Sequence, residues 1–442
     1  MRPLSRAAAG LEPAPVRIVH LGLGAFHRAH QAWYTDEAGD GWGIAAFSGR
    51  SPAAAETLAA QDGLYTLVTR DGDGDRARLI GSITEAVDGA RQDRLRALVV
   101  DPDVALVTLT VTEAGYRLRP DGRPDETDPL LAADLAGAEP VTALGRLVDA
   151  LAARHRVGAP LAIVPCDNLP ANGELVRGGV LALAERRDPA LAAWIASEVS
   201  FVSTSVDRIT PRLDDADRDI ASRLLGWADA APVVTEPFSD WVLSGAFPAG
   251  RPAWEEAGAR FVENITPFEH RKLWLLNGAH TLLAALGTLR GHELVSQAIR
   301  DEHCRERVLA FWDEARRTLA DESLGLDEYC AALLARFENP GIRHRLDQIG
   351  LDAATKLRLR VVPTARAERA AGRDAAGCAT AVAAWVAIVR AGRGGADAAS
   401  ADIAAAGGEP RRLLALLDAE LADDTAFLRT VTTELTNLEK RA

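Results

Sequence analysis

The chain has 442 residues with 50 basic and 63 acidic side chains, which gives a formal net charge of −13. This acidic balance argues against a basic surface for binding nucleic acid. No apolar run approaches the roughly 20 residues that cross a bilayer, and the N-terminus lacks the hydrophobic centre of a signal peptide. We therefore expect a cytoplasmic protein without nucleic-acid or membrane partners, whose length indicates two or three domains.

Short β-branched runs alternate with helical stretches in the first half of the chain. The strand-like runs are VRIVHLG (16–22), GIAAFS (43–48), LYTLVTR (64–70), VALVTLTVT (104–112) and LAIVPC (161–166). This alternation predicts an α/β fold with a Rossmann-type, doubly wound, mostly parallel sheet. Strand-like runs become scarce from about residue 254. We predict a dinucleotide-binding domain over residues 1–245 and a mainly α-helical substrate domain over residues 246–442.

The first predicted strand runs directly into a glycine turn. A G-x-G spacing at this point allows a tight turn and lets backbone N–H groups approach a pyrophosphate. A histidine stands where the third glycine of the usual fingerprint would be, so an ordinary strand-to-helix turn is the alternative. The predicted cofactor contacts are Gly22, Gly24, Ala25, Phe26 and His27.

The end of the second predicted strand bears on the choice between NAD and NADP. An acidic residue there would hold the ribose hydroxyl of NAD, but no acid occurs before Glu56. Ser48 and Arg50 could instead hold a 2′-phosphate, and Arg50 could equally stack on adenine or lie in solvent. We expect NAD as the cofactor and leave NADP open.

Two patterns bear on metal binding. His27 and His30 form an HxxH pair, but no third ligand stands at a recognisable spacing, so a structural role is favoured. The cysteines lie far apart without a CxxC pair, which predicts single reduced thiols rather than disulfides or a zinc site. They are Cys166, Cys304, Cys330 and Cys378. We expect no metal.

The second domain begins with a helix that carries a lysine, an asparagine and a histidine on one broad face. Thr266, Pro267 and Glu269 form a capping box that predicts the start of the helix, and Gly287 predicts its end. Lysine is rare here, with only Lys272, Lys356 and Lys440 in the chain. Burial and the helix dipole would lower the pKa of Lys272 and make it a general base.

The amide of Asn277 on the same helix could donate to a developing oxyanion, with His280 beside it. The alternative is a salt-bridged lysine with two satisfied core polar groups, and for Glu269 a capping role alone. A further candidate is Asn168, which follows the predicted strand that ends at residue 165. Ligands bind at the carboxyl ends of such strands, although a structural Asx turn would explain the same residues.

Several motifs together resemble the polyol-specific long-chain dehydrogenase/reductase family, which includes mannitol 2-dehydrogenase and fructuronate reductase. They are GLGAFHRAH (22–30), QDGLYT (61–66), TVTEAGY (110–116), CDNLPANG (166–173), VDRITP (206–211), EPF (236–238) and the spacing of Lys272, Asn277 and His280. The resemblance implies a metal-independent oxidoreductase with Lys272 as general base and with Asn168 and Asn277 as oxyanion donors. It also implies that His280 contacts the substrate and that Glu269 exchanges protons with solvent.

The substrate that the resemblance implies is a sugar acid, most simply D-mannonate/D-fructuronate. The pattern HRLDQIGLDAATK (344–356) is closer to fructuronate reductase, because mannitol 2-dehydrogenases carry an arginine where Gln348 stands. His344, Arg345 and Lys356 could hold its carboxylate, although a surface helix of mixed charge is the alternative for Arg345. A neutral polyol substrate such as mannitol, and a non-catalytic dinucleotide-binding sensor, are the competing functions.

Overall fold

The computed structural model describes residues 1–119 and 121–440. The chain divides into two compact units, Met1–Ile265 and Thr266–Ala442. The division falls later than residue 245, where the sequence predicted it. The physical reason is strand pairing, because Arg260–Phe261 lies parallel to Asp240–Ser244 and thereby joins the first unit.

The first unit contains a main parallel sheet and several smaller ones. Its strands are β1 (Arg2–Pro3), β2 (Val16–Leu21), β3 (Gly43–Phe47), β4 (Tyr65–Asp71), β5 (Gly74–Ile80), β6 (Ile83–Val87), β7 (Leu106–Leu109), β8 (Leu161–Pro165), β9 (Val199–Phe201), β10 (Ser203–Asp207), β11 (Trp227–Ala228), β12 (Val233–Thr235), β13 (Asp240–Ser244) and β14 (Arg260–Phe261). The main sheet has the order β6-β3-β2-β7-β8-β9 and is parallel throughout. This is the Rossmann order, so the predicted doubly wound sheet is confirmed.

The order of the main sheet reverses between β2 and β7, which places a ligand crevice at the carboxyl ends of these strands. Helices cover the sheet, so β3, β7 and β8 are buried along their whole length. The helices of this unit are α1 (Arg6–Ala9), α2 (Ala25–Ala29), α3 (Gln31–Ala38), α4 (Ala53–Ala59), α5 (Gln92–Val100), α6 (Pro129–Leu135), α7 (Ala143–His155), α8 (Asn172–Arg187), α9 (Pro189–Glu198) and α10 (Asp215–Leu225).

One predicted strand of the main sheet lies elsewhere. The segment LYTLVTR forms β4, which pairs antiparallel with β5 and parallel with β12 in a separate sheet. A two-residue turn between Asp71 and Gly74 closes the β4–β5 hairpin, and this local pairing takes β4 away from the main sheet. The edge position beside β3 is taken by β6 instead.

The second unit is helical, as predicted. Its helices are α11 (Thr266–Arg271), α12 (Gly278–Leu289), α13 (Val295–Arg300), α14 (Glu302–Thr318), α15 (Leu326–Glu338), α16 (Leu346–Ile349), α17 (Ala353–Arg360), α18 (Val362–Ala370), α19 (Ala376–Arg390), α20 (Ser400–Ala406), α21 (Pro410–Leu417), α22 (Ala419–Asp423) and α23 (Thr425–Glu439). Most residues of α19 are buried, and this helix packs on α12, α14 and α23. Along the described residues, no helix is both long enough and apolar enough to cross a membrane.

The predicted lysine helix is present but longer and less regular than expected. A π-helical segment, Lys272–Asn277, connects α11 to α12, and α12 ends at Leu289. Gly287 therefore lies inside the helix rather than ending it. A Cβ on Gly287 would lie 2.8 Å from the side chains of Ala298 and Leu346, so this glycine permits close packing. The positive φ of 84° at Gly291 lies just beyond the helix end.

Candidate active site

The glycine turn connects β2 to α2 at the crevice of the main sheet. Gly22 has a φ of 113°, and a Cβ there would lie 2.3 Å from the carbonyl oxygen of Thr110. The N–H groups of Gly22 and Leu23 both donate to the carbonyl of Phe47, at 3.0 and 2.8 Å. The turn is thus held between β3 and β7, and Gly24 caps the N-terminus of α2. Only glycine fits at position 22.

His27 occupies the place of the third glycine for a reason that the fold reveals. Its ring stacks face to face on that of His20, with 3.4 Å between the ring centroids and 8° between the planes. Both side chains are fully buried. Within residues 1–119 and 121–440, neither ring nitrogen of His27 has a hydrogen-bond partner. Burial, with His20 as the next cause, holds the pKa of His27 well below its usual range, so the ring is neutral.

Asn168 and the predicted cofactor residues share one cavity. A space of about 420 Å³ is lined by Gly22, Gly24, Ala25, Phe26 and His27 together with Thr110, Asp167 and Asn168. The Asx turn that the sequence offered as an alternative is made by the neighbouring Asp167, which accepts from the N–H of Leu169 at 2.9 Å and from the hydroxyl of Tyr116 at 2.6 Å. These bonds shape the loop that carries Asn168 into the cavity.

Two side chains just after β3, Ser48 and Arg50, differ in whether they are available to contact a ribose. The hydroxyl of Ser48 is buried and accepts from the N–H of Gly89 at 2.9 Å, so it is already engaged. Arg50 is exposed. Of the two side chains considered for a 2′-phosphate, only Arg50 is therefore open to solvent.

His30 of the HxxH pair is a packed core residue. It is fully buried, it lies against the rings of Phe26, Tyr34 and Trp241, and its Nδ1 is 3.0 Å from the amide nitrogen of Gln31. In the described part of the chain, no three or more histidine, cysteine and carboxylate side chains cluster as metal ligands.

The π-helical segment begins at Lys272 and ends at Asn277. A π turn closes between residues i and i+5, so Asn277 lies about one turn above Lys272, on the same side of the helix. In a regular α-helix these two residues would diverge by roughly 140°. Both side chains are half-buried, and Glu269 is half-buried three residues before the lysine. Single π turns occur often at functional sites.

Side chains of the second unit satisfy carbonyls around the widened turn. The indole of Trp312 donates to the carbonyl of Leu275 at 2.9 Å. The carbonyl of Asn277 accepts from the hydroxyl of Thr281 at 2.9 Å and from the guanidinium of Arg360 at 3.4 Å. A Cβ at Gly278 would lie 2.6 Å from the ring of Phe311. These contacts hold the backbone that presents Asn277.

His280 stands on the next turn and is buried with an unpaired nitrogen. In the part of the chain that the structure describes, its Nε2 has no hydrogen-bond partner, and its ring lies 4.8 Å from Phe337 and 4.7 Å from His344. Burial, followed by the charges of His344, Arg336 and Arg360, holds the pKa of His280 well below its usual range. His280 is therefore a neutral imidazole with one unsatisfied ring nitrogen.

The two cations among the residues expected to bind a carboxylate differ in their partners. The guanidinium of Arg345 is paired with Asp347, and its side chain is 41% exposed, as the surface-helix alternative predicted. Lys356 is half-buried, and its Nζ donates to the carbonyl of Ile349 at 2.9 Å. Burial, followed by the charge of Arg360, lowers the pKa of Lys356.

Arg360 was missed by the sequence reasoning. It lies one turn after Lys356 on α17 and donates to the hydroxyl of Thr281 at 3.0 Å. Burial lowers the pKa of Arg360 to about 10, with no carboxylate opposing the shift. Among the described residues neither Arg360 nor Lys356 forms an ion pair. Their spacing of four residues was the signal available in the sequence. His20 was missed as well, although it is a polar residue near the end of a buried strand.

Comparisons with known proteins show which family the chain resembles. Residues 16–256 match the family profile of the mannitol dehydrogenase Rossmann domain, and residues 264–439 match that of the mannitol dehydrogenase C-terminal domain. The D-mannonate oxidoreductase of Escherichia coli (strain K12) is 37% identical over 84% of this chain and 79% of that protein.

Two solved structures are similar over nearly the whole chain. A mannitol 2-dehydrogenase of Pseudomonas fluorescens, solved as a ternary complex with NAD and D-mannitol, is 33% identical with a TM-score of 0.77 and covers 100% of both chains. A D-sorbitol dehydrogenase in substrate-free form is 28% identical with a TM-score of 0.91 and covers 99% of this chain and 98% of that one.

Proposed function

This chain belongs to the mannitol dehydrogenase family, and on that premise we propose that it is an NAD-dependent dehydrogenase that interconverts the secondary alcohol and the ketone of a sugar acid, most simply D-mannonate and D-fructuronate. The relatives include both a D-mannonate oxidoreductase and mannitol 2-dehydrogenases. The choice of a sugar acid therefore rests on the side chains of this protein.

The cavity of the first unit fits a dinucleotide. Its glycine turn leaves no room for a Cβ at position 22, and His27, whose ring nitrogens are buried without a hydrogen-bond partner among the described residues, is one of its lining residues. A buried polar atom without a partner is costly, by about 1–3 kcal/mol, unless a ligand completes it. Gly24, Ala25, Phe26 and His27 would hold NAD, which when bound supplies the hydride acceptor. Arg50 would lie toward the ribose.

The chemistry on the second unit is assigned to Lys272 and Asn277. In the oxidative direction Lys272 takes the proton of the substrate hydroxyl, and the amide of Asn277 donates to the oxygen as negative charge develops. The shared side created by the π turn supports this pairing. Glu269 would pass the proton on to solvent, and Asn168 would be a second oxyanion donor. These roles remain predictions.

The observation that carries the choice of a sugar acid is the pair of unpaired cations on α17. Lys356 and Arg360 lie one turn apart, both are half-buried, and the pKa of each is lowered by burial. A carboxylate is the natural partner of such groups because it restores the electrostatic energy lost on burial. The electrostatic effect of Arg360 also reaches His280, whose free Nε2 is suited to a sugar hydroxyl.

Steady-state reduction of fructuronate and of fructose, each with NADH and with NADPH, tests the proposal. We expect fructuronate with NADH to give the higher kcat/KM. A Lys356→Met variant should lose activity toward fructuronate, whereas Arg345→Met, which removes a cation already paired with Asp347, should not. A preference for fructose would favour the neutral-polyol alternative. NADH binding without turnover of either ketose would favour the sensor.

A further inference from the structure

A chain of hydrogen bonds runs beneath the glycine turn and is not used by the proposed chemistry. His20 is fully buried near the end of β2. Its Nδ1 lies 2.8 Å from the hydroxyl oxygen of Thr108, and its Nε2 lies 3.0 Å from that of Thr110. The hydroxyl of Thr110 in turn donates to the carbonyl of Gly22 at 2.7 Å. Two strands and the turn are linked through one imidazole.

Counting protons shows which atom donates in each of these hydrogen bonds. The single proton of the Thr110 hydroxyl goes to the carbonyl of Gly22, so Thr110 must accept from His20, which therefore carries its proton on Nε2. Nδ1 is then an acceptor for the hydroxyl of Thr108. Burial lowers the pKa of His20 to about 3, so this neutral tautomer persists at neutral pH.

These hydrogen bonds fix the glycine turn from the side opposite to Phe47. The carbonyl of Phe47 holds the N–H groups of Gly22 and Leu23, and the hydroxyl of Thr110 holds the Gly22 carbonyl. The peptide plane after Gly22 is thus restrained at both of its polar atoms. Its orientation sets the direction in which α2 leaves the sheet.

The same imidazole also supports the side chain that lines the cavity. His20 stacks on His27 at 3.4 Å, and both rings are neutral, so there is no charge repulsion between them. Among the described residues, no hydrogen-bond partner lies within bonding distance of the His27 ring nitrogens. The stack on His20 therefore restrains the plane of the His27 ring.

We propose that His20 is a positioning residue for the dinucleotide: it fixes the Gly22 turn through Thr110 and holds His27 so that one imidazole nitrogen of His27 hydrogen-bonds bound NAD. The proposal rests on the proposed NAD site. His20 itself lies behind the turn and acts through Thr110 and His27.

The test is the dissociation constant for NADH, measured by fluorescence on the full chain, together with the melting temperature. His20→Phe keeps a ring that can stack but removes both hydrogen bonds, and Thr110→Val removes the link to Gly22. We expect each to weaken NADH binding about tenfold, the effect of losing one well-placed hydrogen bond. The KM for NADH should rise accordingly, while kcat at saturating NADH changes less than about threefold. Thr110→Ser keeps the hydroxyl and should restore binding.

Ser82→Ala is the matched control, because it deletes a buried hydrogen bond to the carbonyl of Ala32 elsewhere in the same unit. It should lower the melting temperature without changing the dissociation constant for NADH. His27→Phe should weaken NADH binding as well. Its effect and that of His20→Phe should not add in the double variant, because His20 acts partly through His27.

The possible outcomes separate this proposal from the proposed function. If the unmodified protein does not bind NADH, the proposed function fails. If it binds NADH and folded His20→Phe and Thr110→Val bind it within twofold as tightly, the positioning role is overturned. Equal weakening by Ser82→Ala would also overturn it, because the effect would then reflect general loss of stability. If His20→Phe does not fold, the Thr110→Val and Thr110→Ser pair decides the question.

Discussion

Replacing Arg360 by methionine should show whether its positive charge serves the binding of substrate or the stability of the fold. The guanidinium is half-buried on α17, donates to Asn277 and Thr281, and forms no ion pair within residues 1–119 and 121–440. Burial lowers its pKa from 12.5 to about 10, which corresponds to about 3 kcal/mol against the charged form. This is an upper value because the side chain retains some contact with water.

The hydrogen bonds lost with Arg360 set the opposing cost. They contribute about 1–2 kcal/mol together, since one of them is long. The two effects oppose each other at pH 7, where the arginine is charged in both the folded and the unfolded state. We therefore expect Arg360→Met to change the free energy of unfolding by less than about 2 kcal/mol, measured by urea unfolding.

The effect on catalysis should be much larger. Loss of a charge-assisted hydrogen bond to a carboxylate costs about 1.5–3 kcal/mol, so kcat/KM for fructuronate should fall roughly 10- to 150-fold. Activity toward fructose should fall less, because fructose has no carboxylate. Arg345→Met, which removes an exposed and paired arginine, should leave both substrates within about twofold.

Two results would refute this reasoning. A loss of more than about 2 kcal/mol in the unfolding free energy of Arg360→Met would mean that the buried charge stabilises the fold. Equal losses on fructuronate and fructose would mean that Arg360 acts through the backbone of Asn277 alone and does not recognise a carboxylate.

Three further variants test other parts of the structure. Lys272→Ala should lower kcat by about 10²–10⁴, the usual contribution of a general base, and leave NADH binding intact; retained turnover in a ketose-reduction assay would exclude the assigned role. Gly287→Ala should cost about 1–3 kcal/mol, because its Cβ would lie 2.8 Å from that of Ala298, and calorimetry should show a lower melting temperature. The Arg373 guanidinium holds the pKa of Glu368 at about 2, below its usual 4.5. The stability from this ion pair should be present above about pH 4.5 and lost as the pH falls toward 2. The Glu368→Gln variant should not show this loss of stability in acid unfolding. An acid transition equal to that of the unmodified protein would contradict the prediction.

Much of the fold and part of the site were predictable because they depend on local pattern. Alternating β-branched and helical runs predict the Rossmann sheet, since each βαβ unit encodes its own parallel pairing. The glycine turn was predictable because a positive φ and a close approach at Gly22 both require glycine. Lys272, Asn277 and His280 could be singled out as candidates because polar groups on an otherwise apolar helix are costly unless they have a function.

Other features depended on contacts distant in sequence. The segment LYTLVTR is not part of the main sheet, because β4 pairs with β5 in a tight hairpin instead. The register between Lys272 and Asn277 is set by a π turn, which helix periodicity does not contain, and Trp312 and Arg360 help to satisfy its carbonyls.

The charge of an arginine is readable in the sequence, but its partner is not. Arg345 is neutralised by Asp347 two residues away, whereas Arg360 is half-buried and has no carboxylate partner among the described residues. The stack of His20 on His27 likewise joins a strand to a helix across the glycine turn. Sequence alone determined which chemical groups this protein possesses. Only the tertiary structure decided which of them remain unpaired, because pairing depends on distances in space, and these unpaired groups are the ones that a ligand can engage.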